Sequence, residues 1–205
     1  TSAGVAFALG LPDGEAITLD EMAAVVGAIA RRVKVPVTAD MEAGYGDTPE
    51  DCAATTRATI EAGAVGLNLE DGIDHAAGTV YEFDLAVERI AAARQAASDK
   101  GVPVVINART DVYFSQSLSE EEKFAQTVRR CNAYLAAGAD CAFVIGPGVP
   151  KDVVGLVAEI NGPLNIVAGF SPHSVEELAG MGVKRISLGG MLSRATLGYY
   201  RDTLR

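Results

Sequence analysis

Six short, mostly apolar runs recur along this chain, separated by longer amphipathic segments, and that alternation limits the available folds more than any other feature. The runs are Val35–Ala39, Val65–Leu69, Val102–Ala108, Cys141–Ile145, Leu164–Ala168 and Arg185–Leu188. Near-continuous apolar runs rich in β-branched residues read as buried strands of a parallel sheet. The segments between them have helical period and marked starts. Thr18-Leu19-Asp20-Glu21 and Ser174-Val175-Glu176-Glu177 match the capping box. Thr48-Pro49-Glu50-Asp51 supplies an N-cap, a proline at the first helical position and acids facing the helix dipole. Further helices are predicted over residues 83–99, 118–137, 151–160 and 192–204, and Gly63 and Gly138 are suited to ending helices.

No linker or low-complexity tract interrupts the pattern, so residues 1–205 are expected to form a single α/β domain. Periodicity alone leaves an open doubly wound sheet and a closed barrel equally available. A fragment ending near Val5 reads as a seventh strand. The expected fold is therefore a (β/α)8 TIM-type barrel lacking its first strand and helix, which would lie upstream of Thr1 in a chain that starts without methionine.

Composition narrows the partners. Seventeen basic and 27 acidic side chains give a net charge of −10, which repels polyanions and argues against DNA or RNA binding. A small anionic substrate remains compatible, because a divalent cation or one placed arginine reverses the local sign. Cys52, Cys131 and Cys141 are odd in number and lack zinc or disulfide spacing, so they read as packing residues in a reducing compartment. No stretch reads as a membrane span or signal peptide, and a cytoplasmic location is expected.

In parallel α/β folds the chemistry sits where strands end. The first run is followed by Asp40-Met41-Glu42-Ala43-Gly44-Tyr45-Gly46-Asp47, the second by Glu70-Asp71-Gly72, and the third by Arg109-Thr110-Asp111. Asp40, Glu42 and Glu70 can converge as hard oxygen ligands for Mg²⁺ or Mn²⁺. Arg109 can grip a carboxylate through its planar fork. The structural alternative is that these acids cap helices or shape turns, with the arginine only neutralising them. Asp47 and Asp71 fit turn or supporting roles better. Gly72 and Gly78 flank His75 in a segment that reads as a lid; histidine exchanges protons near neutral pH, although exposed loop histidines are commonly idle. His173 reads as part of a helix-start turn.

The phrases TADMEAGYGDT, GLNLEDG and INARTD resemble the isocitrate lyase/phosphoenolpyruvate mutase superfamily, and SAGVAFALGLPDGE and LGGMLSRATLGYYRD extend the resemblance along nearly the whole chain. It implies an α/β barrel acting with Mg²⁺ on C–C or P–C bonds of 2-oxo acids. By position, Asp40, Glu42 and Glu70 match the metal-shell acids, although many members carry aspartate where Glu42 stands. Arg109 matches the arginine that holds the substrate carboxylate. Thr1, Ser2 and Ala3 match the stretch that holds the oxo-acid end, and Asp13 matches an acid near the reacting centre that would otherwise read as a turn residue.

Departures from the family are as informative. The lyases' Lys-Lys/Arg-Cys-Gly-His loop is replaced by residues 72–82, which contain no cysteine, and also no lysine or asparagine of the kind mutases use on a phosphonyl group. Glutamate and asparagine at later strand ends give way to Val144-Ile145-Gly146-Pro147 and Val167-Ala168-Gly169-Phe170, implying a smaller or less charged substrate. The expectation is a Mg²⁺-dependent C–C lyase of a 2-oxo acid or hydroxy-diacid precursor. The alternatives are a phosphonomutase or phosphonopyruvate hydrolase, and a non-catalytic oxo-acid binder. The resemblance also implies a homo-oligomer, dimer or tetramer.

Overall fold

The computed structural model describes residues 1–147 and 149–204. In chain order the elements are α1 (Ser2–Ala8), α2 (Leu19–Ala30), β1 (Thr38–Asp40), α3 (Pro49–Glu61), β2 (Gly66–Glu70), β3 (Gly72–Asp74), β4 (Thr79–Val80), α4 (Phe83–Asp99), β5 (Val105–Thr110), α5 (Glu120–Ala136), β6 (Cys141–Val144), α6 (Val149–Glu159), β7 (Leu164–Val167), α7 (Val175–Gly180), β8 (Arg185–Ser187) and α8 (Met191–Thr203). Six strands form one parallel sheet in the order β1-β2-β5-β6-β7-β8, and β3 and β4 make a separate antiparallel hairpin.

The sheet curls. Arg185 Nη2, on the β8 edge, donates to Thr38 Oγ1 on the β1 edge at 3.1 Å, so the two outer strands approach across the opening. A flat doubly wound sheet cannot bring its outer strands together, and the described residues form the curled half of a TIM-type barrel. One expectation is corrected. The stretch around Val5 is the helix α1, packed through Ala3 and Ala6, so the described residues give the parallel sheet six strands rather than seven.

All six predicted runs become strands, two of them starting late. Pro36 and Pro103 have no N–H to give a ladder, and pairing begins at Thr38 and Val105. The capping boxes at Thr18/Glu21 and Ser174/Glu177 close on both sides. Asp51 and Glu122 complete two more, with Thr48 and Ser119. Such a cap contributes about 1 kcal/mol by satisfying donors at the helix start. The core divides into a cluster around Met41, Leu67, Ile106 and Ala93 and another around Val144, Leu156, Ile166 and Leu178. All three cysteines are buried and unpaired.

Candidate active site

Alternate side chains of a strand face opposite ways, and here one set faces a cavity of about 540 Å³ at the carboxyl ends of the strands. It receives Thr38 and Asp40 from β1, Asn68 and Glu70 from β2, Arg109 from β5, Phe143 from β6, Val167 from β7, and Arg185 and Ser187 from β8. Thr1, Ser2, Ala3, Asp13, Glu42 and His75 also line it. Every residue expected from the sequence to hold metal or substrate or to act on it therefore reaches one cavity, whereas Asp47, Asp71 and His173 do not line it.

Asp40 is held by its neighbours. The Ser2 amide and hydroxyl both donate to its Oδ2, at 3.2 and 3.3 Å, and Asn68 Nδ2 donates to Oδ1 at 3.3 Å. Asn107 in turn donates to Asn68 at 2.7 Å, giving a polar ladder across β1, β2 and β5. Ser2 Oγ also lies 3.4 Å from Asp13, tying the start of the chain to two of the acids.

Glu42 is set by backbone geometry that few residues tolerate. Glu15, Glu42 and Tyr45 all take left-handed conformations, with φ of 57°, 50° and 55°. Each such non-glycine residue costs about 1 kcal/mol or more and persists only where surroundings enforce it. The three enforce one another: the Glu15 amide donates to Glu42 Oε2 at 2.5 Å, and the Tyr45 amide donates to Glu15 Oε1 at 2.8 Å. Gly44, also at positive φ, lies where a Cβ would stand 2.8 Å from Cys52 Sγ, so the turn has no room for a larger residue. Burial pushes the Glu42 carboxyl up to about 7, and the charges of Asp13, Glu70 and Glu15 add to that. Its Oε1 is buried and accepts no hydrogen bond. A buried acceptor with no donor, among like charges, fits a cation or an ordered water bound to one.

Arg109 is already committed to two carboxylates. Its Nη1 lies 2.6 Å from Glu70, while Nε and Nη2 take both oxygens of Asp111 at 2.6 and 2.8 Å. Asp111 is itself anchored: its amide donates to Asp71, and Asp71 accepts from Arg130 and from the Tyr134 hydroxyl, all in the interior. The sequence assigned Asp111 no role, and Asp71 only a supporting one. Asp111 is held ionised below the usual carboxylate range, because Arg109 and His75 outweigh its burial. Glu70 is pushed up by burial, which Arg109 and His75 only partly offset.

His75 sits on the β3–β4 hairpin, so residues 72–80 form a structured arm rather than an irregular loop. The arm rests on the turn after β5: Gln116 donates to the Ala76 carbonyl, and Gly78 packs where a Cβ would meet the Phe114 carbonyl at 2.2 Å. His75 Nε2 points inward, 2.8 Å from Asp111 and 3.1 Å from Glu70. Hydrogen bonding to Asp111 and then to Glu70 raises its pKa to about 10, so near neutral pH it is a cation and a proton donor.

Two oxygen-rich groupings could hold a metal. Ligand atoms of Glu70, His75 and Asp111 lie within 4.8 Å of one another. Their charge is already met by Arg109 and the imidazolium, which would repel a second cation. The oxygens of Asp40, Glu42 and Glu70 do not close to that distance, but these residues line the same cavity, offer only carboxylates and include the unpartnered Glu42 Oε1. That all-oxygen set suits Mg²⁺ or Mn²⁺.

Comparisons with known proteins agree with this fold. The profile of the family described as phosphoenolpyruvate phosphomutase matches residues 1–205. A structure from Burkholderia cenocepacia J2315, described provisionally as a phosphonomutase, superposes with a TM-score of 0.89 at 42% identity, covering 99% of this chain and 82% of that one. A protein of Corynebacterium glutamicum named as a probable 2-methylisocitrate lyase is 35% identical over 80% of this chain, and the chain spans 52% of its length. Oxaloacetate acetylhydrolase in complex with its product oxalate superposes with a TM-score of 0.87 at 30% identity, covering all of this chain and 71% of that one.

Proposed function

The chain belongs to the phosphoenolpyruvate phosphomutase family, within the isocitrate lyase/phosphoenolpyruvate mutase superfamily, and we propose that it is a Mg²⁺-dependent lyase cleaving a C–C bond of a 2-oxo acid or a hydroxy-diacid precursor. The observation that supports this reading is that Asp40, Glu42 and Glu70 line one cavity with the Arg109 guanidinium, and that a buried Glu42 carboxylate oxygen is left without a donor. The relatives named for oxo-acid chemistry support it.

Asp40, Glu42 and Glu70 are the residues that would hold the metal, directly or through water. When bound, a divalent cation supplies polarisation of an oxo group and positive charge for a developing enolate. The chain's own residues do the remaining work. Arg109, aimed by Asp111, presents its outer N–H edge to the substrate carboxylate. Thr1, Ser2 and Ala3 close the cavity on the far side of Asp40 and fix the oxo-acid end. His75, cationic in the ligand-free site, donates rather than removes a proton, while Asp13, at the rim beside the Ser2 hydroxyl, is the side chain placed to accept one. Retro-aldol cleavage and decarboxylation share the enolate and use the same residues.

The phosphonomutase reading is favoured by the 42%-identical relative from Burkholderia cenocepacia. Against it, residues 72–80 bring only His75 as a cation and no lysine or asparagine toward a phosphonyl group. A panel of 2-oxo acids, hydroxy diacids and phosphonopyruvate, assayed with Mg²⁺, separates the readings. C–C cleavage that disappears with EDTA or in Asp40→Ala supports the lyase. P–C cleavage supports the mutase or hydrolase. Oxalate binding without turnover of any compound supports a non-catalytic binder, and turnover unaffected by Asp40→Ala overturns the metal mechanism.

A further inference from the structure

The charged half of the cavity ends at Arg109. Past it, every cavity-lining side chain from β6, β7 and the segments that follow them is apolar: Phe143, Ile145, Val167 and Phe170. Charge returns only at β8 and α8, with Arg185 and Arg194. We infer that this wall is a subsite for a hydrocarbon substituent, alkyl or aryl, carried by the substrate at the end away from the carboxylate that Arg109 holds. The inference rests on Arg109 as carboxylate holder and adds the class of group at the other end.

Register places the two halves side by side. Phe143 is the β6 partner of Arg109 on β5, and its ring centre lies 5.9 Å from the guanidinium carbon. A carboxylate on Arg109 therefore brings the next carbons of the acid over that ring rather than into water. Phe143 and Val167 are 3% and 6% exposed and form a dry base. Phe114 and Phe170 meet edge to face at 6.1 Å at the rim, and Phe114 stands 6.3 Å from the His75 ring. The Met191 thioether lies against Gly169, where a Cβ would come within 2.6 Å of its sulfur. Methionine fills irregular apolar space and yields to different shapes.

Such a concave apolar wall beside fixed polar groups is the usual composition of a small-molecule site, and Phe170, at 42% exposed, is costly to leave wet. A second carboxylate in the same place would lose its water and gain no donor. Arg185 reaches across the opening to Thr38 on β1 and is not part of this wall.

The test is calorimetric titration of the purified protein with Mg²⁺ present. Oxalate is the probe of the carboxylate end, followed by pyruvate, 2-oxobutanoate, 2-oxopentanoate, 2-oxohexanoate, phenylpyruvate and 2-oxoglutarate. Each buried methylene should tighten binding about fourfold until the wall is covered. Phenylpyruvate should exceed pyruvate, and 2-oxoglutarate should be weaker than 2-oxopentanoate. Ile145→Asp and Val167→Asp should flatten the alkyl series relative to oxalate; the unmodified protein's series carries the test if neither variant folds. Oxalate binding with a flat or falling alkyl series, or with 2-oxoglutarate the tighter ligand, overturns the subsite and leaves the proposed function standing. An alkyl series that tightens without oxalate binding supports the subsite with Arg109 as carboxylate holder and overturns the metal part of the proposed function. Failure of oxalate and all the oxo acids to bind overturns both.

Discussion

Replacing Asp111 by asparagine distinguishes the two possible metal groupings. Asp111 is 2% exposed and takes Arg109 through two short hydrogen bonds, with His75 on the same oxygen as Arg109 Nη2. Asparagine keeps the shape but has one acceptor oxygen, and its amide nitrogen would face a guanidinium. One charge-assisted hydrogen bond and half of another are lost, while Glu70 still neutralises Arg109. With about 1.5–3 kcal/mol for a bond to a charged group, the net loss is about 2–4 kcal/mol. For a chain of this size that lowers the melting temperature by roughly 4–16 °C. Arg109, no longer fixed end-on, should bind oxalate about tenfold more weakly, equivalent to about 1.4 kcal/mol. Mn²⁺ binding, followed by electron paramagnetic resonance without oxalate, should change less than about threefold if the ion sits on Asp40, Glu42 and Glu70. If Glu70, His75 and Asp111 hold it, loss of a ligand should reduce affinity by at least tenfold. A collapse of Mn²⁺ affinity with oxalate geometry otherwise intact refutes the assignment.

Three further outcomes are expected. Glu15→Ala removes the acceptor of the Tyr45 amide and frees the left-handed turn that presents Glu42; about 1–2 kcal/mol should be lost in denaturant unfolding together with Mn²⁺ affinity, Glu15→Gln should recover most of both, and equal behaviour of the two variants would count against the interlock. In metal-free protein the raised Glu42 pKa makes ionisation unfavourable to folding, so its contribution is present below pH 4.5 and lost as pH rises through about 7; the melting temperature of the native protein should fall more over that window than that of Glu42→Gln, and parallel curves would contradict the burial effect. On α8 no side chain is buried, and Leu192, Leu197, Tyr199 and Tyr200, with Leu204 at its C-cap, are all more than half exposed. An apolar helix face left bare is suited to pairing with a second copy: sedimentation is expected to show an oligomer that Leu192→Lys with Leu197→Lys weakens, whereas a monomer at micromolar concentration excludes that use of the helix.

What could be read in the sequence divides along a physical line. Parallel strands announce themselves by apolar runs, and a residue just past a strand must lie on the functional face; Asp40, Glu70 and Arg109 were legible for that reason. The stretch at Val5 was misread because a short run of alanine, valine and phenylalanine carries no period that separates strand from helix. Asp111 was overlooked because its role depends on Arg109 turning back two residues along the same segment. Asn68 and Asn107 left a usable signal: single amides within apolar strands, whose buried polar groups require partners. Nothing in the order of Glu15, Glu42 and Tyr45 reveals a left-handed interlock spanning 30 residues, since three non-glycine residues at positive φ oppose local preference and are stabilised only by one another.

The excess of acid is itself a statement about the substrate. A net charge of −10 disfavours any anion at long range, and the cavity adds Asp13, Asp40, Glu42 and Glu70 at short range. Arg109 does not cancel them, because it lies between Glu70 and Asp111 and is spent largely on those two. His75 is likewise paired with Glu70 and Asp111, and Arg185 and Arg194 come from β8 and α8, so without another cation the Asp40–Glu42 end keeps its excess of acid. A divalent ion held by Asp40, Glu42 and Glu70 would turn the same acids into a means of concentrating positive charge at the oxo-acid end, and its charge would favour the ionised form of Glu42. The affinity for an oxo acid should therefore depend on Mg²⁺ far more steeply than the stability of the fold does. Titrating oxalate at several Mg²⁺ concentrations measures the first, thermal unfolding over the same range measures the second, and oxalate binding independent of Mg²⁺ would show that the chain's own cations suffice.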